Sequence, residues 1–247
     1  MSGHSHYATI KRAKEANDSA RGKVYSKLAR EIAIAVKQGG NADPDFNYKL
    51  RMVIDKARSA NMPKDNIERA LAKGGSGEAL ELMTYEGFGP GGVGVVIEAA
   101  TDNRNRTAQE IKNLFERIGG NLSGPGSVSF NFESRGLILV EKQADPQTQM
   151  LALIDQGVEE MEETNDGIEA YVAPDKLREV REKLETAGFT VKSAELTMKP
   201  KNFVTISNPT EAAKIINFLD TLNDHEDVQK VYANLDIPDE VVSQIKN

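Results

Sequence analysis

Residues 137–197 read LILVEKQADPQTQMLALIDQGVEEMEETNDGIEAYVAPDKLREVREKLETAGFTVKSAELT, and the order of patterns in this stretch decides the architecture. Leu137–Glu141 is an apolar run of strand length. Pro146–Gln156 has helical spacing, with Pro146 in a first turn where its missing N–H is tolerated. Val158–Glu163 and Gly167–Ala173 pair as a hairpin around Asn165-Asp166-Gly167, because Asp-Gly favours tight turns. Asp175–Ala187 returns to helix and Thr190–Thr197 to strand. The order is βαββαβ, a ferredoxin-like unit.

Working outward, the tail offers a strand at Phe203–Ser207, a helix at Thr210–Leu222 and a strand at Val228–Leu235. These pieces lack partners for a core of their own. Upstream stand a strand at Gly92–Ala100, a helix at Thr107–Ile118 and a strand at Ser127–Phe132. The helix is opened by the capping box Thr107-x-x-Glu110 and closed by Gly119-Gly120. The tail would complete the sheet begun by residues 80–132. Residues 134–200 are therefore expected to be an acidic ferredoxin-like insertion, within a discontinuous α/β domain made of residues 76–133 plus 201–247.

Gly74-Gly75-Ser76-Gly77 reads as a flexible linker that sets off residues 1–75. Over residues 21–37, Val24, Tyr25, Leu28, Ile32, Ala35 and Val36 fall on one side of a helix, and Lys23, Lys27, Arg30 and Lys37 on the other. Ile34 lands among the basic residues without a reason in the pattern. Gly39-Gly40 ends this helix. A second helix covers Phe46–Ala60, Asn61-Met62-Pro63 breaks it, and a third runs to Lys73. The expected fold class is α+β: an N-terminal three-helix bundle, then two α/β-sandwich (ferredoxin-like) domains, the last inserted in the middle one.

Composition narrows the function. The chain has 247 residues, with 39% hydrophobic and 28% charged, which suits a globular protein and not a disordered one. It has no cysteine, so disulfides and thiolate metal sites are excluded. No apolar run approaches membrane-spanning length, and Met1–His6 has no apolar signal core. These features lead to the expectation of a cytoplasmic protein with no membrane partner. Charge is unevenly divided. Residues 1–73 carry 15 Lys and Arg against 8 Asp and Glu, a net +7. Residues 74–247 carry 16 against 30, a net −14. A cationic head on an anionic body points to an anionic partner for the head.

The candidate contacts follow from that head. His4, His6 and Tyr7 stand close to Lys11, Arg12 and Lys14, and Arg21, Lys23, Lys27 and Arg30 follow. Cations interleaved with flat rings suit nucleic acid, where phosphates are neutralised and bases stack. Engagement of about six phosphates would give a slope of log K on log salt near −5. A helix–turn–helix reading of residues 47–73 would place Lys64, Asn66 and Arg69 at base edges. Thr101–Thr107 lies between a strand and a helix N-terminus, so Arg104 and Arg106 there either hold an anion or pair with local acids such as Asp102 and Glu110.

Other motifs carry less. Gly87, Gly89 and Gly92 match G-x-G-x-x-G, but they precede a strand, so the dinucleotide reading is rejected. Gly87, Gly89, Gly91 and Gly92 make either a tight turn or a bare backbone that nucleic acid can approach. His4 and His6 have no local acids to complete a metal set, and the run Glu159–Glu163 lacks the spacing of a calcium loop. No metal, cofactor, small-molecule substrate or catalytic residue is expected. The enzymatic alternative is a metal-dependent nuclease using Asp102 and Glu98.

Several blocks together resemble the YebC family, which includes the mitochondrial translational activator of cytochrome oxidase subunit one. They are Gly3-His4-Ser5, Arg21-Gly22-Lys23, Asn61–Ile67, Tyr85–Gly92, Thr101–Thr107, Gly119–Leu122 and Gly126–Val128. His6-Tyr7 departs from the Lys-Trp usual there, which loses one charge and keeps an aromatic ring. The resemblance implies three domains with the middle one interrupted. It also implies a non-enzymatic regulator of gene expression, either a DNA-binding transcriptional regulator or a translation factor that contacts ribosomal RNA on the ribosome.

Overall fold

The computed structural model describes residues 18–75, 80–164 and 166–245. The first region holds three helices, α1 (Asp18–Gly39), α2 (Tyr48–Ser59) and α3 (Lys64–Gly75). Their core contains Leu28, Ile32, Ala35, Val36, Leu50, Ile54, Ala57, Met62, Ile67 and Ala70. The apolar stripe read in α1 is thus the stripe that is buried. The loop after α1 is fixed by Asn47, whose amide donates to the carbonyl of Ala35 at 2.8 Å and whose oxygen caps the N–H of Leu50 at 3.1 Å. Gly39 makes room for it: a Cβ there would lie 2.1 Å from the Asn47 side-chain nitrogen.

Two antiparallel sheets follow. The first has the order β3-β1-β2-β9, from β1 (Glu81–Phe88), β2 (Gly94–Thr101), β3 (Asn121–Ser123) and β9 (Val228–Ala233). Its helices are α4 (Arg104–Ile118) and α7 (Pro209–Asp224), which meet through Phe115 and Phe218, edge to face with centroids 5.2 Å apart. The late strand β9 pairs with β2, so the sheet joins segments from both ends of the remaining chain. A parallel pair, β8 (Val204–Thr205) with β10 (Leu235–Asp236), and the terminal helix α8 (Asp239–Ile245) complete this part.

The second sheet has the order β5-β6-β4-β7, from β4 (Phe132–Val140), β5 (Glu160–Thr164), β6 (Gly167–Val172) and β7 (Val191–Pro200). Helices α5 (Pro146–Asp155) and α6 (Leu177–Thr186) belong to it, giving strand–helix–strand–strand–helix–strand in chain order. Ile138, Val140, Leu153, Ile168, Val172 and Leu184 fill its core.

Three sequence expectations shift. The sequence pattern does not disclose β1 and β3. The strand expected at Ser127–Phe132 is a turn, Ser129–Asn131, with β4 beginning only at Phe132. The cause is Glu86, whose buried carboxylate accepts the N–H groups of Gly126, Val128 and Ser129, each at 2.8 Å. Those donors are therefore not available to a ladder. Lastly, α4 begins at Arg104 and is capped by Asn103, which accepts from the N–H of Arg106 at 3.1 Å. Thr107 is not the cap, and its hydroxyl is used elsewhere.

Candidate nucleic-acid interface

The basic side of α1 faces the turn between α7 and β9. Lys23 Nζ lies 3.0 Å from Asp224 Oδ2, and Lys27 donates to the carbonyl of Asn223. Arg30 reaches Glu226 Oε1 at 2.7 Å and Asp227 Oδ1 at 2.8 Å. Lys37 donates to the carbonyl of Leu80 at 3.1 Å. The arc of cations seen in the sequence is a docking face between the helical region and the first sheet. Ile34 now has its reason: it lines the cavity of about 440 Å³ where the helices and both sheets meet.

Asp227 is the centre of this contact, with only 3% of its surface exposed. Its second oxygen, Oδ2, accepts from Arg106 at 2.9 Å and from the hydroxyl of Thr107 at 2.6 Å. Burial alone would raise its pKa. Thr107, Arg106 and Arg30 outweigh burial and hold the carboxyl below its usual range. The same bond to Asp227 is the main reason that the Arg106 guanidinium is held even more firmly protonated. Arg106 also meets Asp102 at 2.9 Å. Of the two readings open for Arg106, pairing with acids is the arrangement found in this structure. Arg104 is more open, 62% exposed at its side chain, with Glu81 3.4 Å from Nε.

A second set of charges ties the three regions together. Lys56 of α2 meets Glu31 of α1 at 3.1 Å and Glu195 of β7 at 3.9 Å. Lys230 of β9 meets the same Glu195 at 2.9 Å. On the far side of α2, Arg178 of α6 lies over the ring of Tyr48 at 5.3 Å, and Arg181 stands 3.6 Å from Asp55.

Helices α2 and α3 are joined by the short turn 60–63. Lys64 is 87% exposed, with Glu68 3.5 Å away, and Arg69 donates to Asn66 and to the carbonyl of Asp65. These contacts are local, and both cations point to the surface of the bundle. His4, His6, Tyr7, Lys11, Arg12 and Lys14 lie outside the described residues, as does the side chain of Arg21.

The glycine loop resolves into individual causes. A Cβ at Gly87 would lie 2.6 Å from the carbonyl oxygen of Asn121 and from the Phe115 ring, and one at Gly89 would lie 2.6 Å from the Phe218 ring. Gly91 is left-handed at φ 69° and packed against Ile206 and Ile215. Gly92 is left-handed at φ 74° with open space beside it. Three of these glycines thus have a packing reason on the protein side.

The fold also brings Glu110 and Asp227 to His225, a grouping the sequence did not suggest. His225 Nδ1 accepts the N–H of Asp227 at 3.1 Å, which leaves its other nitrogen to donate to Glu110 at 3.1 Å. With both Asp227 oxygens held by arginines, this trio is a hydrogen-bond relay around the dock. Of the nuclease pair, Asp102 is held by Arg106, and Glu98 lines the central cavity.

Residues 5–77 match the TACO1/YebC protein N-terminal domain, and residues 80–235 match the TACO1/YebC second and third domain. The chain belongs to the TACO1/YebC family. A relative from Dictyoglomus turgidum, named a probable transcriptional regulatory protein, is 44% identical over 250 residues, covering 99% of this chain and 100% of its own. One of the same name from a Geobacillus species is 46% identical over 242 residues, covering 96% and 98%. The crystal structure of a conserved hypothetical protein from Aquifex aeolicus superposes with a TM-score of 0.84 at 42% identity, covering 91% of this chain and 94% of that one. No described helix is long and apolar enough to cross a membrane.

Proposed function

We propose that this chain is a non-enzymatic, cytoplasmic regulator of gene expression that binds nucleic acid through its helical region, with DNA as the target. The observation that carries the reading is that the helical region keeps exposed cations on α3 after its α1 stripe has been docked. Lys64 and Arg69 stand on the second helix of a helix–turn–helix pair, joined by a turn of about the length such motifs use. The relatives' name supports a role in transcription.

The contacts on this reading fall into two groups. His4, His6, Tyr7, Lys11, Arg12, Lys14 and Arg21 meet nucleic acid directly, as do Lys64 and Arg104, whose pairs with Glu68 and Glu81 are exposed and weak. Lys23, Arg30 and Arg106 hold acids and Lys27 holds the carbonyl of Asn223, so these four reach phosphate only by exchanging those partners for it. Gly92 lets a backbone approach closely. The second reading, ribosomal RNA, draws on the same cations and on the family's members in translation.

The test is fluorescence anisotropy with labelled duplex DNA and with a ribosomal RNA fragment, across a salt series. Lys64→Glu with Arg69→Glu is expected to weaken binding at least tenfold with an unchanged thermal midpoint, since neither side chain is buried. Undiminished binding by that variant would remove the assignment. Crosslinking in cells then separates DNA from ribosomal RNA.

A further inference from the structure

Phe130 is 72% exposed, yet it stands on a rigid base. Its loop is pinned from beneath by the Glu86 carboxylate and from the side by the end of β7. Lys201 donates its N–H to the carbonyl of Asn131 at 2.7 Å and its ammonium to the carbonyl of Phe130 at 3.2 Å. The Asn131 side chain donates to the backbone carbonyl of Asn202 at 2.8 Å, and its Oδ1 accepts from the Asn202 side chain at 2.9 Å. Asn234 joins the next loop, accepting from the N–H of Gly94 at 2.7 Å and donating to the carbonyl of Asn202 at 3.2 Å.

The three segments gathered here, loops with the strand ends that carry them, share a composition. Residues 87–97, 119–132 and 196–208 contain no Asp or Glu, within a body whose net charge is −14. Gly92, Gly124 and Gly126 leave open space where side chains would stand. Glu211 approaches this rim at Gly91, and Glu86 is spent on its three N–H groups. Phe46 is also exposed, at 80%, but Asp43 and Asp45 flank it and would repel phosphate.

The geometry points to a stacking site on which an unpaired nucleobase lies against the Phe130 ring while Lys201 neutralises the adjoining phosphate. A ring rimmed by amides, bare glycines and one cation fits a base on a phosphate chain better than an apolar protein patch, whose anchors sit within a shell that excludes water. The base must be unpaired, because a ring standing alone can stack only on a base already out of its own helix. The site lies at the start of β2, whereas Arg104 and Arg106 follow its end. This inference rests on the nucleic-acid reading above and adds single-stranded or looped character to the ligand.

The experiment measures binding of the full chain to a short fluorescein-labelled oligouridine and to a labelled duplex. Phe130→Ala is expected to weaken oligouridine binding roughly fivefold to a hundredfold, with Phe130→Trp restoring it. Lys201→Ala is expected to lower the salt slope by about 0.7. Duplex binding stays unchanged in all three. Parental affinity for oligouridine in Phe130→Ala overturns the site. So does a change confined to self-association in sedimentation, which would make the ring a protein contact. If the parent protein binds duplex but not oligouridine, the site falls and the regulatory reading stands. If it binds neither, the regulatory reading falls and takes the site with it.

Discussion

Arg30 and Asp227 stand 197 residues apart in the chain, and their guanidinium and carboxylate meet at 2.8 Å. Arg30 comes from the helical region and Asp227 from the turn into the last strand of the first sheet. With Arg106 on the other carboxylate oxygen, one buried acid joins two parts of the molecule.

Removing that acid should be severe. Asp227→Ala leaves two guanidiniums and a buried hydroxyl without their shared acceptor. Breaking a buried ion pair from one side typically costs about 3–5 kcal/mol. Because Arg30 and Arg106 retain some solvent, the lower end, about 3 kcal/mol, is expected. Urea denaturation followed by circular dichroism reads it, and a loss under about 1 kcal/mol would contradict a central role for Asp227.

The dock should also be sensitive to acid. Asp227 and Glu86 are both held below their ordinary values, in each case against burial, by hydrogen bonds that favour the charged form. A depressed folded pKa contributes stability that is fully present above the unfolded value, about pH 4 for these carboxyls, and is lost as pH falls through the folded pKa. Stability is therefore expected to hold from neutrality to about pH 5 and to decline below pH 4. Asp227→Asn and Glu86→Gln should each flatten that decline in a thermal-melt series. A decline of parental steepness in both variants would assign it to other groups.

Arg104 and Arg106 should separate, although they are two residues apart. Arg106→Ala removes a partner of buried Asp227 and is expected to lower the thermal midpoint clearly more than Arg104→Ala does. Arg104→Ala removes one exposed pair with Glu81 and should change stability by less than about 0.5 kcal/mol. Arg104→Ala is then the variant in which a loss of nucleic-acid binding, expected at about 1–3 kcal/mol, is free of folding effects. Equal destabilisation by the two would show that Arg104 also has a structural role.

Reversing the α1 stripe, Lys23→Glu with Lys27→Glu and Arg30→Glu, should release the helical region from the turn 223–227 while the helix bundle stays folded. The bundle core lies on the opposite side of α1. Hydrogen exchange is expected to accelerate at the N–H groups of His225 and Asp227, with helical circular dichroism retained. Unchanged exchange there would mean that the stripe does not hold the dock.

Among the glycines, Gly87→Ala should destabilise by about 1–3 kcal/mol, since the added carbon meets both a backbone oxygen and the Phe115 ring. Gly92→Ala meets open space, carries only the left-handed backbone penalty of about 1 kcal/mol, and should melt clearly above Gly87→Ala. If both melted together, the crowding at Gly87 would not be the reason for its glycine.

Much of the fold was legible locally. The bundle's apolar stripes, the Gly39-Gly40 stop and the βαββαβ order of residues 137–197 all follow from period and punctuation. β1 and β3 were not, because β3 is three residues, too short to alternate, and β1 takes its place from its ladder with β2; the turn at 129–131 is dictated by Glu86, a residue of another strand. In the candidate interface, the cations were legible as a stripe, but their partners were not. Ile34, stranded among lysines and arginines, was the one local sign that this face is covered.

Local pattern in the chain was enough for the helices, for most of the strands, for the split of charge between head and body, and for the family resemblance. Those properties arise from neighbours a few residues apart or from composition. The tertiary structure alone decided where each charge ends up. Lys23, Lys27 and Arg30 could have faced solvent or carboxylates with the same helical periodicity. A helix's period fixes which residues share a face, but the acids that meet that face come from a turn some 200 residues later, brought there by sheet pairing.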